Sequence, residues 1–171
     1  MSPTRLSTVV LDAYVAPSVG VYLRALPPDE YADALIAYLR EQGYDWDPEL
    51  VAKAAPLVQE KIARLGEFPA FAGFLFARPE PAAVDGAVLP AAVEALERVE
   101  PFEAEAIEAA LRELADRLGL KPRDAFQPIR LAVTGSKVSP GLFESLELLG
   151  REESLARLGN LRGGASGSSA R

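Results

Sequence analysis

Apolar positions along the chain recur at the three- and four-residue spacing of helices, and proline, small polar residues and glycine punctuate them. Tyr31, Leu35, Tyr38 and Leu39 fall on one face of a predicted helix that Asp29 caps after Pro27-Pro28. It runs to about Glu41, with Gly43 just beyond. Asp47 caps a second helix with Pro48 at its first position, where the missing N–H costs nothing. Val51, Ala55, Val58 and Ile62 line one side of it, and Pro56 inside it is expected to kink it. A short helix over 67–77 is rich in phenylalanine. Residues 78–88, with Pro79, Pro81 and Gly86, read as a loop. Further helices are expected at 89–99 and 102–118. The second of these sets Glu103, Glu105 and Glu108 against Ile107, Leu111, Leu114 and Leu118, and Gly119 ends it. Another spans about 121–134 and stops at Gly135. Ser139-Pro140, a cap and a first-turn proline, open one to Leu149, where Gly150 closes it, and a last helix covers about 151–158.

No persuasive strand alternation interrupts this pattern. The short apolar run Ser7–Leu11 is the one candidate and is read as coil. Residues 1–20 carry Pro3, Pro17 and Gly20 without a helical period and read as an irregular segment. Residues 161–171 form a Gly/Ser-rich tail expected to be flexible. The fold class is all-α, two small helical bundles in tandem, joined near residues 78–90.

Composition narrows the function. The 171 residues are 49% hydrophobic and 25% charged, enough for a packed core. No apolar run approaches the roughly 20 residues that span a bilayer, and a cytoplasmic protein with no membrane partner is the simplest reading. The absence of cysteine removes disulfides and thiolate metal sites, and the absence of histidine removes the commonest base and metal ligand. The net charge of −7 argues at first against nucleic acid, but it is unevenly spread. Residues 1–116 carry 9 basic and 20 acidic residues, a net of −11; residues 117–171 carry 9 and 5, a net of +4. Such asymmetry fits one end of the chain meeting a polyanion, and a solvated mixed surface would look similar.

Catalytic patterns are missing. Thr134-Gly135-Ser136-Lys137 lacks the second glycine of a phosphate loop and reads as a helix terminus with a polar loop. Glu103, Glu105 and Glu108 read as a solvated face, and no nucleophile has an obvious base. The residues describe a binding or structural domain.

One stretch is more specific. Gln127-Pro128-Ile129-Arg130, Ala132-Val133-Thr134-Gly135, Ser139-Pro140-Gly141-Leu142-Phe143-Glu144 and Leu149-Gly150-Arg151-Glu152 follow one another in order and spacing. Together they resemble the closing segment of glutamyl-tRNA synthetases. Tyr22-Leu23-Arg24 and Pro56-Leu57-Val58-Gln59-Glu60-Lys61, the latter followed by Leu65, Glu67, Phe68 and Phe74, agree more loosely with that family's earlier anticodon-binding region. The resemblance covers about 20–158. It implies an anticodon-binding helical cage with a first subdomain at 21–86 and a second at 87–160.

The resemblance also implies roles. Arg130 falls where a family arginine contacts the first anticodon base. Ser139, Pro140 and Leu142 fall where residues after the turn meet anticodon bases, with Lys137 supplying charge beside them. Lys61 falls where many members carry an arginine that reads the third base; lysine keeps the charge and loses the planar fork. A helix N-terminus at Ser139-Pro140 would offer backbone N–H groups, and Leu142 an apolar surface for a base. Without the resemblance the plainer reading holds: Ser139-Pro140 is a cap, Leu142 and Phe143 are core, and Arg130 is a surface residue. Phe143 and Leu146 are core in either reading.

A synthetase of this family also needs a Rossmann domain for ATP and glutamate, with a histidine-containing signature and a lysine loop. This chain has neither, so no catalysis is expected from it alone, and it is read as a fragment, half of a split gene or a relic. ATP and Mg would belong to the catalytic domain; no cofactor or metal is expected here. The implied partner is glutamate tRNA, with a catalytic domain in cis or in trans, and not DNA. The alternative is a helical protein–protein interaction module, or a relic, that kept the fold and lost tRNA binding.

Overall fold

The computed structural model describes residues 17–80, 84 and 87–160. The candidate strand at Ser7–Leu11 and the tail 161–171 lie outside the described residues. Among the described residues there are eight α-helices and no strand, so the all-α expectation holds. The chain divides after Phe76 into two compact units.

The first unit contains α1 (Pro17–Ala25), α2 (Pro28–Glu41), α3 (Pro48–Gln59) and the short α4 (Phe68–Ala72) between single 3-10 turns at Leu65–Glu67 and Gly73–Leu75. Helix α1 includes residues 17–20 of the stretch expected to be irregular. Leu23 at 1% exposure anchors the helix in the core. The cap expected from Asp29 is not made: Pro27 holds the N-cap of α2, and Asp29 sits in the first turn beside the positive end of the helix. Asp47 does cap α3, accepting the Glu49 N–H at 3.0 Å. The faces read from periodicity are buried: Tyr31, Leu35, Tyr38 and Leu39 from α2, Val51, Ala55 and Val58 from α3, and Ile62 just after it. The phenylalanine-rich 67–77 segment is broken where Gly73 lies against the Trp46 indole. That indole stacks on Phe76, with ring centroids 4.3 Å apart and an interplanar angle of 3°.

Gln59 ties the first unit together. It is the last residue of α3, only 7% exposed, and its side-chain amide donates to the carbonyls of Leu23 and Leu26 at 2.9 Å each. The last carbonyls of a helix have no partner within it. Two amide hydrogens from a residue 36 positions away supply what the end of α1 lacks.

The second unit contains α5 (Leu89–Glu97), α6 (Ala104–Arg117), α7 (Pro122–Thr134) and α8 (Leu142–Asn160). Its core includes Leu96, Ile107, Leu111, Leu114, Ile129, Val133, Leu142, Leu146 and Leu158. Leu118, expected on the apolar face of α6, is 42% exposed because it occupies the C-cap, where the helix ends before Gly119 at φ +66°. The last helix starts at Leu142, so Ser139-Pro140 lies in the turn before it and does not cap it. Gly150, at φ 79° and ψ 165°, breaks α8 into two stretches with separate periodicities, as the sequence expects. The strands of polar contact around α8 are long-range. Glu147 accepts the Ala104 N–H at the start of α6 at 2.8 Å. Arg151 donates to the Val99 carbonyl just past α5, pairs with Glu100 at 2.9 Å, and lies over the Phe102 ring at 5.5 Å.

Replacing Gln59 with leucine keeps the volume and removes both donors. The expected outcome is a loss of about 1–3 kcal/mol in unfolding free energy, read by thermal or urea unfolding, with exchange of the amides in α1 accelerated first.

Candidate nucleic-acid interface

Helix α7 and the turn that follows it build the site. Ala125, Ile129, Ala132 and Val133 are buried, which turns Arg130 to the edge of the helix. The helix runs through Pro128 and ends where Gly135 adopts φ +69° and returns its N–H to the Leu131 carbonyl at 2.9 Å, an αL cap. A side chain here would meet two obstacles, since a Cβ would also come within 2.5 Å of the Pro79 Cβ.

The turn is held by its own short polar side chains. The Thr134 hydroxyl, buried, lies 2.9 Å from the Arg130 carbonyl and 3.0 Å from the Ser136 carbonyl, and it accepts the Ser136 N–H at 3.2 Å. Ser136 in turn accepts the Val138 N–H at 3.1 Å. Arg130 reaches across the turn: its Nη1 donates to the Ser139 hydroxyl at 2.6 Å and to the Pro140 carbonyl at 2.9 Å.

All the described polar contacts of the Arg130 guanidinium use Nη1 and neutral acceptors. Guanidinium has five donors in a fixed fork, so its Nε and Nη2 edge is left for another acceptor. No carboxylate pairs with it among the described residues. Arg64, Arg78, Arg112, Arg151 and Arg157 pair with glutamates. Arg24, Arg40, Arg98, Arg117 and Arg123 show no carboxylate partner among the described residues either, but they are exposed, whereas Arg130 is half-buried and held by the turn.

The residues singled out in the sequence divide accordingly. Arg130, Ser139 and Pro140 come together as one hydrogen-bonded group, and Lys137 stands exposed on the same turn. Leu142 is 2% exposed and belongs to the core, so it does not present the apolar surface expected of it; the first residue of α8 faces inward. Val138, at 68% exposure, is the apolar side chain that the turn does present, and periodicity could not flag it because it stands outside any helix. Pro140 is itself buried and contributes through its carbonyl. Lys61 belongs to the first unit, exposed just past α3, where its N–H closes on the Val58 carbonyl at 2.8 Å.

A second group beneath the turn escaped the sequence reading. Arg157 is buried, with its side chain 5% exposed; its Nη1 donates to the Val133 carbonyl at 2.9 Å and its Nε to Glu153 at 2.8 Å. Glu153 also receives both arms of Arg78, each at 2.8 Å. Hydrogen bonding from Arg78 is the main reason the Glu153 carboxyl sits at about 2; partial burial opposes that shift and Arg157 adds to it. The spacing of Glu153 and Arg157 signals a helix-surface pair. Nothing in the sequence signals that the arginine points inward.

Comparison with known proteins follows from this geometry. Residues 30–162 match the family described as Anticodon binding domain. The chain belongs to this family. It is 47% identical over 161 residues to a glutamate–tRNA ligase of Kocuria rhizophila, covering 84% of this chain and 32% of that protein. It is 48% identical over 159 residues to one of Acidothermus cellulolyticus, covering 81% and 31%. The solved structure of a glutamate tRNA ligase from Elizabethkingia meningosepticum in complex with its amino acid superposes with a TM-score of 0.73 at 21% identity, over 84% of this chain and 31% of that one. At that identity the likeness shows the fold. The chain spans about a third of the length of the curated relatives it matches. The anticodon-binding match takes in Lys61, Arg130, the 135–141 turn and Arg157.

Two measurements check this local architecture. Gly135→Ala is expected to cost about 2 kcal/mol or more and to exceed Gly119→Ala. Gly119 shares the positive φ with nothing near its missing Cβ, so the difference in unfolding free energy reports the Pro79 contact. Glu153 gives a pH signature. Folding lowers its pKa from 4.5 to about 2, so the folded state favours the charged form. Its stabilisation is complete above the unfolded value and is lost as pH falls from about 4.5 towards 2. The gap in melting temperature between the native chain and Glu153→Gln should therefore be widest near neutral pH and close below pH ~4.5.

Proposed function

We propose that this chain reads the anticodon loop of a glutamate tRNA in the service of glutamyl-tRNA ligation. In this reading ATP, Mg and glutamate are handled by a catalytic domain acting in cis or in trans, in the cytoplasm, and this chain contributes recognition alone. The observation that carries the proposal is Arg130: a half-buried guanidinium, oriented by a neutral turn, with no carboxylate partner among the described residues and one donor edge left over. Sequence-specific RNA recognition uses edge hydrogen bonds to splayed single-stranded bases, together with stacking and apolar contact. A preset guanidinium beside the exposed Val138 and Lys137 supplies the donor, the apolar surface and the charge. The likeness to glutamate–tRNA ligases supports glutamate tRNA as the partner. Lys61 takes the third anticodon base in this reading, as a point charge in place of a fork.

The test is binding of the purified chain to a glutamate tRNA transcript and to the same transcript with its anticodon replaced, each at two salt concentrations. The expected result is a preference for the native anticodon that Arg130→Ala abolishes, a loss of about 1–3 kcal/mol on the native transcript alone. Equal binding to both, fading with salt, would reduce the interaction to phosphate contact. No binding at low salt would overturn the proposal and favour the protein-interaction module.

A further inference from the structure

The Arg78–Glu153–Arg157 group and the Pro79–Gly135 contact form a closed circuit under the turn that carries Arg130. Arg78 grips Glu153 with both arms, Glu153 holds Arg157, and buried Arg157 holds the Val133 carbonyl, two residues before Gly135. Pro79, next to Arg78, closes the circuit by filling the space where a Gly135 side chain would stand. Everything in the circuit lies within the second unit. The arrangement is more than a stabilising ion pair. One end of the circuit fixes the carbonyl terminus of α7; the other presses on the residue at which the chain leaves that helix. Ser136, Val138 and Ser139 depart from this point, and the Ser139 hydroxyl receives the Arg130 guanidinium.

We propose that Arg78, Glu153 and Arg157 are positioning residues for the 135–141 turn, so that anticodon discrimination by Arg130 depends on a network that itself touches no RNA. The inference rests on the anticodon-reading function proposed above. Arg78 is its most accessible arm: the side chain is 54% exposed, so it can be replaced without opening the core. A surface ion pair alone contributes little to stability. A loss of discrimination disproportionate to any loss of stability is what separates positioning from simple support.

The experiment compares the native chain with Arg78→Ala, Arg78→Lys and Arg157→Met, each shown to be folded by circular dichroism at the temperature used. Two quantities are read. The first is hydrogen exchange at the Ser136 and Val138 amides, which needs no RNA. The second is the ratio of Kd values for the anticodon-replaced and native transcripts. In Arg78→Ala the two amides are expected to exchange about tenfold faster while the rest of the unit is unchanged, and the ratio to fall about three- to thirtyfold. Arg78→Lys, which keeps the charge and loses the fork, should recover part of both. Unchanged exchange, or an unchanged ratio where Arg130→Ala abolishes the preference, would overturn the positioning role and leave the anticodon reading standing. No anticodon preference in the native chain would overturn both. If Arg157→Met fails to fold, the Arg78 pair decides the matter alone.

Discussion

The carbonyl end of a helix is the problem this fold solves repeatedly, and its solutions hold the parts in place. Four carbonyls at each C-terminus have no partner within the helix, and burying them unpaired is costly. Here distant side chains meet them. Gln59 reaches the end of α1 and Arg157 the end of α7, while Arg151 holds the Val99 carbonyl in the turn two residues beyond α5. Gln59 comes from α3, and Arg151 and Arg157 both come from α8, each at least 24 residues along the chain from its acceptor, so each of these contacts is also a tertiary fastening. A single hydrogen bond of this kind has only a modest net worth. Placed at a terminus, however, it fixes where the chain goes next, and the site is built where the chain leaves α7.

That division explains what could be read in advance. Helix starts here are local: Pro28, Pro48 and Pro122 stand at the first position of their helices and Pro90 at the second, and Asp47 caps its own. Glycine ends are local as well, at Gly43, Gly119 and Gly135. The helices after α1 and their apolar faces were therefore legible, whereas Arg130 with Ser139 was singled out only through the family resemblance. The terminations made by Gln59, Arg151 and Arg157 were not, because they depend on which surfaces meet. Leu142 shows the same limit. Its place after Ser139-Pro140 suggests a surface, yet the first turn of α8 directs it into the core, and Val138 is left outside. Pro79 shows it most plainly, since no local pattern ties a loop proline to a glycine 56 residues on.

Charge is sorted by the same logic. The arginines that tie elements of the second unit together have carboxylate partners, from exposed Arg78 through part-buried Arg151 to buried Arg157, where neutralisation matters most. Arg130 is oriented by a hydroxyl and a carbonyl, which hold a guanidinium in place without cancelling its charge. Orientation without neutralisation is the requirement for a group that must meet an outside acceptor at no reorganisation cost. It also explains how a chain with a net charge of −7 can offer a site for a polyanion: the relevant quantity is the local partner, not the sum.

The break at Gly150 has a consequence for how such a chain can change its length. At φ 79° and ψ 165° it lies in a region open in practice to glycine alone, so it acts as a fixed origin from which the second stretch of α8 is counted. Arg157 stands seven residues on, two turns, which is what aims it at Val133. One residue inserted or deleted between them would swing the guanidinium by about 100° around the helix axis. It would part the arginine from its carbonyl. The stretch from 150 to 157 is thus a ruler, its length set by the distance from Gly150 to the arginine that holds Val133.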